Sequence, residues 1–134
     1  MNEHGILGII ICNMHDELLS EITAHRTIGS VPFGGRYRMI DFSLSNMANS
    51  GIKDVGVVPS RNYQSLLDHL GSGQEWDMAR KNGGLCVLPP YGHNSGVYSG
   101  RMQAIAGIED FVKKSTADTV VLSDSDVVAN IDLL

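Results

Sequence analysis

Cysteine is scarce: two residues in 134, far apart at Cys12 and Cys86. That excludes a disulfide-stapled scaffold, and no spacing suggests a zinc site. Each lies in an apolar run ("IIICNM", "GLCVLPP"), so two buried free thiols are expected. Basic charge is also low, with 10 Lys and Arg against 15 Asp and Glu and a net charge of -5, which argues against a nucleic-acid face. No apolar stretch approaches the roughly 20 residues of a membrane span. The N-terminus lacks the basic-then-apolar pattern of an export signal. No repeat or low-complexity segment occurs. The expectation is a reduced, cytoplasmic protein that binds neither membrane nor nucleic acid. At 43% hydrophobic and 19% charged residues, the composition is that of an ordinary globular domain with a real core. The ending "ANIDLL", straight after a strand and an acidic turn, reads as a cut through a longer protein.

One absence is local. Between Cys12 and Gly29 there is no glycine, although an apolar run has just ended in "IIIC". In α/β proteins the turn after the first strand commonly cradles a phosphate on backbone N–H groups. Here that turn reads "NMHDELL".

What is present is an alternation of strands and helices. The runs "GILGIIIC" (5–12), "DVGVVP" (54–59) and "DTVVLS" (118–123) are continuously apolar, as strands covered on both faces are. "LCVLPP" (85–90) is a shorter fourth, closed by prolines. Helices are expected over 41–51, with Asp41 as N-cap and Gly51 just past the end, over 62–73 and over 100–114. This order implies βαβ units, right-handed crossovers and a mainly parallel sheet. The stretch 71–99 reads as a long excursion carrying one strand, with Trp76 as a loop anchor. Ligands of such sheets bind beyond the carboxyl ends of the strands, near the reversal of strand order. Two segments qualify: 13–18, and "SDSD" at 123–126.

Three groups of residues invite chemistry. Arg36 and Arg38 follow a Gly34–Gly35 turn in "VPFGGRYR" and suit an anion, or else pair with Asp41 or stay solvated. Asp124 and Asp126, alternate residues of an extended chain, could face one Mg²⁺ or simply cap the next element. The five histidines, His4, His15, His25, His69 and His93, have no ligand spacing and read as surface or core residues.

The stretch "VPFGGRYRMIDFSLSNMANSGI" (31–52) resembles the sugar-1-phosphate nucleotidyltransferases, specifically the glucose-1-phosphate adenylyltransferase (ADP-glucose pyrophosphorylase) family. That family's P-F-G-G-[KR]-[YF]-R-[IML]-I-D-F-x-L-S-N run is matched almost residue for residue. Weaker likeness extends over "HLGSGQEWD", "VLPP", "VYSGRMQAI" and "VVLSDSDVVANID". The resemblance implies a Rossmann-like, GT-A-like three-layer sandwich. Residues 1–134 would be the N-terminal portion of its catalytic domain, with a β-helix domain beyond the chain. It implies the reaction of ATP with glucose-1-phosphate to give ADP-glucose and pyrophosphate, with Mg²⁺ as cofactor.

The family follows its first strand with A-G-G-x-G-x-R-L and, later, R-A-K-P. Gap-free counting back from Phe33 puts Asn13 and Met14 on the first two glycines and Asp16 on the third. Leu18 falls on the arginine, Leu19 on the leucine and Ile28 on the lysine, while Arg26 keeps its place. Two cations have become aliphatic and a carboxylate has been added, a change that should remove most transfer activity. The family's G-T-A-D-A reads Gly100, Arg101, Met102, Gln103, Ala104. Its metal-binding aspartate falls on Asp126 counting back from Asp132, or on Ser125 counting forward from Ser123; the Asp126–Asp132 spacing favours Asp126. The resemblance further makes Asn13, Met14 and Gly100 degenerate nucleotide-binding positions, Asp126 and Arg26 catalytic candidates, and Arg36 the position tied to anionic activators, with Arg38 beside it.

A kept frame with a lost phosphate loop resembles the GlgD-type companion subunits found beside a catalytic subunit in some Gram-positive bacteria. The partners so implied are a catalytic ADP-glucose pyrophosphorylase subunit in an oligomer, and ATP or phosphorylated sugars as effectors. Two other readings stay open: a working adenylyltransferase with a divergent loop, and a nucleotide- or effector-binding module that does no chemistry.

Overall fold

A computed structural model describes residues 5–12, 16–59, 63–79, 83–88 and 101–129. Strand β1 (Ile6–Ile11) is followed by a 3-10 turn (Asp16–Leu19), the short α1 (Ser20–Thr23) and a second 3-10 turn (Ile28–Ser30). A small antiparallel hairpin, β2 (Pro32–Phe33) with β3 (Tyr37–Arg38), leads into α2 (Met39–Asn49). Then come β4 (Asp54–Val58), α3 (Gln64–Leu70), a 3-10 turn (Gln74–Trp76), β5 (Leu85–Val87), α4 (Arg101–Gly107), α5 (Glu109–Lys114) and β6 (Thr119–Asp124).

The main sheet has the order β5-β4-β1-β6 and every pairing is parallel. Strand β1 lies between β4 and β6, with Ile11 beside both Val58 and Asp124. Its side chains alternate between two cores. Ile10 and Cys12 join Ile40, Leu44 and Met47 of α2 and Leu66 and Leu70 of α3. Leu7, Ile9 and Ile11 join Ala104, Ile108 and Phe111 on the opposite face. A strand apolar at every position is what a helix layer on each side requires, so the three-layer α/β sandwich holds.

Three local expectations are corrected. The helix expected over 100–114 is two, α4 and α5, interrupted at Ile108, whose N–H donates to Ile105 O at 3.2 Å. Gly107 is a poor helix former, and the break lets Ile108 turn into the core. Asp41 is not the N-cap of α2: the helix begins at Met39, and the Asp41 carboxylate reaches back to accept from the Arg38 N–H at 2.9 Å. Strand β6 is not covered on both faces. It is the sheet's outer strand, with Val120 43% and Leu122 50% exposed, because α5 packs its Phe111 beside Gly56 of β4 instead. Cys12 is buried and Cys86 half-buried, and both are free thiols. Trp76 anchors its turn edge-on to His69 and against the α2–α3 core.

Candidate functional site

The chain moves from β1 to β4 on one side and arrives at β6 on the other. The reversal therefore lies between β1 and β6, where Ile11, Leu122, Ser123 and Asp124 line an open hollow at the carboxyl end of the sheet. One wall is the turn 27–30. Thr27 fixes it by donating its hydroxyl to Cys12 O at 2.8 Å, and Ser30 closes it by donating to Thr27 O at 2.9 Å. Gly29 lies against Ser125: a Cβ on Gly29 would stand 3.1 Å from the Ser125 hydroxyl oxygen.

The segment after β1 carries no Lys or Arg from Asn13 to His25. Leu18, at the position the resemblance equates with a cation, is 76% exposed; Ile28, equated with another, is 5% exposed and turned into the protein. Arg26 is half-buried between them in sequence. Asn13, Met14 and Gly100 lie outside the described residues, as does the side chain of Arg101.

At the other wall, Asp124 and Asp126 do not share a strand face as expected. Strand β6 ends at Asp124 and the chain turns at Ser125 and Asp126. Ser125 is the residue that turns inward. Its N–H donates to Ile11 O at 3.0 Å, and its buried hydroxyl has no hydrogen-bond partner among the described residues. Asp126 is half-buried. Among the described residues no three or more His, Cys, Asp or Glu come together as a metal cage.

The arginine pair divides. Gly34 and Gly35 turn the β2–β3 hairpin with φ of +67° and +88°, conformations that glycine adopts without strain. Arg36 at its tip is exposed, its guanidinium 5.5 Å from the centroid of the Tyr37 ring. Arg38 is built into the fold: its Nη1 donates to Ser30 O at 2.7 Å and to the Ser65 hydroxyl at 2.8 Å. Sequence reasoning offered Asp41 as its partner. The Asp41 carboxylate instead meets the Arg38 backbone N–H and, at 2.6 Å, the His69 Nε2. Sequence reasoning also missed Thr27, Ser43, Asn46 and the seat of Ser125. Ser43 and Asn46 were legible as a polar pair three residues apart on the helix in "DFSLSN"; nothing in the string says what they face.

A nucleotidyl transferase family model matches residues 16–133. The chain is 41% identical, over 98% of its length, to the glycogen biosynthesis protein GlgD of Bacillus subtilis (strain 168). It is 40% identical, again over 98%, to a glucose-1-phosphate adenylyltransferase of Bacillus cytotoxicus. It spans 38% and 36% of the lengths of these two relatives. Among solved structures, one described as a glucose-1-phosphate thymidylyltransferase from Bacillus anthracis, in complex with sucrose, superposes with a TM-score of 0.74. That match has 25% identity and covers 96% of this chain and 47% of the other.

Proposed function

The chain belongs to the nucleotidyl transferase family, and from that premise we propose that it acts in glycogen biosynthesis as a companion subunit of ADP-glucose pyrophosphorylase type. Its own catalysis is weak or absent, and it modulates a catalytic subunit with which it assembles in the cytoplasm.

The observation that carries this reading is the make-up of the segment after β1. Transfer of an adenylyl group needs donors and cations where charge develops on the phosphorus being attacked. Between Asn13 and His25 the segment after β1 holds Asp16, Glu17 and Glu21 but no Lys or Arg. It exposes Leu18 and spends position 28 on a buried isoleucine. Losing one such contact costs roughly 10²–10³ in rate, and here two are missing with carboxylates added. Asp126, with Asp124 beside it, is the residue that would hold Mg²⁺; the ion would neutralise phosphate charge. Arg36 on the hairpin is the exposed cation available to an anionic effector such as a phosphorylated sugar.

The test is pyrophosphate release from ATP, glucose-1-phosphate and Mg²⁺ by the intact protein, alone and then mixed with the catalytic subunit of the same genome. Alone it should turn over nothing measurable; the mixture should show a changed rate or substrate affinity. Robust turnover by the isolated protein overturns the proposal. The 40% identity to an adenylyltransferase supports a second reading, a working enzyme in which Arg26 supplies the missing charge. In that case Asp126→Asn abolishes the activity seen alone.

A further inference from the structure

Three large apolar side chains on the segment that follows β1 stay outside the core. Leu18 is 76% exposed, Leu19 48% and Ile22 51%, all within five residues. The backbone that carries them is held from behind. Thr23 is buried, and its hydroxyl donates to Leu19 O at 3.0 Å. Four residues further on, Thr27 is bonded to the end of β1. The main chain is thus tied down while the apolar side chains face solvent. Single exposed apolar residues are ordinary; a group of them on a fixed backbone marks a contact surface.

Charge decides what that surface meets. The segment from Asn13 to Ala24 holds Asp16, Glu17 and Glu21 and no Lys or Arg, and Glu21 is exposed next to Ile22. An acidic segment repels phosphate, which disfavours nucleotides, nucleic acid and anionic membranes as occupants. A second copy would bring the same acids face to face, on a chain of net charge -5. What complements the segment is a protein groove, apolar at its centre and edged with Lys or Arg. We propose that Leu18, Leu19 and Ile22, with Glu21 beside them, dock into such a groove on the catalytic subunit. This rests on the companion-subunit reading given above, and it names the contact through which that assembly is made. Three side chains supply only part of the roughly 800 Å² that each partner buries in a standard interface. They therefore act as an anchor within a larger contact.

The experiment mixes the intact protein with the catalytic subunit of the same genome and follows complex formation by sedimentation velocity and surface plasmon resonance, at low and high salt. Leu18→Arg and Ile22→Arg should each weaken the complex by about tenfold or more with the melting temperature unchanged. Glu21→Lys should slow association severalfold at low salt and flatten its salt dependence. Full-strength assembly by folded Leu18→Arg and Ile22→Arg overturns this inference alone. Association by Glu21→Lys at the parent's rate overturns the basic-edged groove. Weaker assembly that comes with a lower melting temperature shows that the three side chains pack within their own chain, and overturns it too. So does self-association of the parent that Ile22→Arg abolishes, which would make a second copy the occupant. A parent that forms no complex with the catalytic subunit overturns the companion-subunit reading and this inference with it.

Discussion

Ile28 shows how one side chain commits a position to the core. It is 5% exposed, between Thr27, which is bonded to the end of β1, and Gly29, which abuts Ser125. A lysine there would have to bury its ammonium or dislodge the turn, and burying an unpaired charge is strongly disfavoured. Ile28→Lys should therefore lower unfolding stability by about 3 kcal/mol or more, read by urea titration. Under the companion-subunit proposal, attempts to restore catalysis should begin at Asn13, Met14, Asp16 and Leu18. Leu18, by contrast, is exposed, so Leu18→Arg should leave stability within about 0.5 kcal/mol of the parent. Cys86 offers a second test at this scale. Burial, and then the Asp54 carboxylate, push its thiol above the ordinary value. At a given pH below that value it holds less thiolate, which is the nucleophile. Alkylation of Cys86 by iodoacetamide at pH 8 should be slower than that of an unstructured cysteine peptide, and the gap should narrow as pH rises.

At the scale of elements, the junction of hairpin, α2 and α3 is held by polar groups. Asp41, 8% exposed, accepts from the Arg38 N–H and meets His69; Arg38 ties Ser30 to Ser65. Asp41→Ala leaves the first turn of α2 without its carboxylate and His69 without a partner, and should cost about 2 kcal/mol. His69→Ala should cost less, since Asp41 keeps the Arg38 N–H. Both are measurable by urea denaturation at pH 7. None of this junction could be read along the chain, because its members are brought together from positions 30, 38, 41, 65 and 69. The strands were legible for the opposite reason: an apolar run such as "GIIIC" states its own burial. What such a run does not state is its neighbours. The same pattern in "TVVL" looked like an interior strand, and strand order left it at the edge with Val120 and Leu122 exposed.

For the whole molecule, the sheet order fixes where a ligand crevice lies, and the sequence located it through the two segments that follow β1 and β6. The roles within it were less legible. The motif of residues 31–46 carried the family, yet the side chain that turns inward proved to be Ser125, because the strand ends at Asp124, two residues short of an extended "SDSD". The relatives also leave the division between catalytic and companion subunit to the residues themselves, with GlgD at 41% identity and an adenylyltransferase at 40%.

The pairing of β1 with β6 has a temporal side. Ile6 lies beside Thr119 and Ile11 beside Asp124, partners about 110 residues later in the chain. On a ribosome adding about 5–20 residues each second, the isoleucine-rich first strand emerges several seconds before its second neighbour exists. Until then one edge of the central strand stays unpaired, offering itself to any extended chain nearby. The parallel order that creates the crevice also makes this protein a natural client for whatever shields nascent chains, most of all while β6 is still inside the exit tunnel.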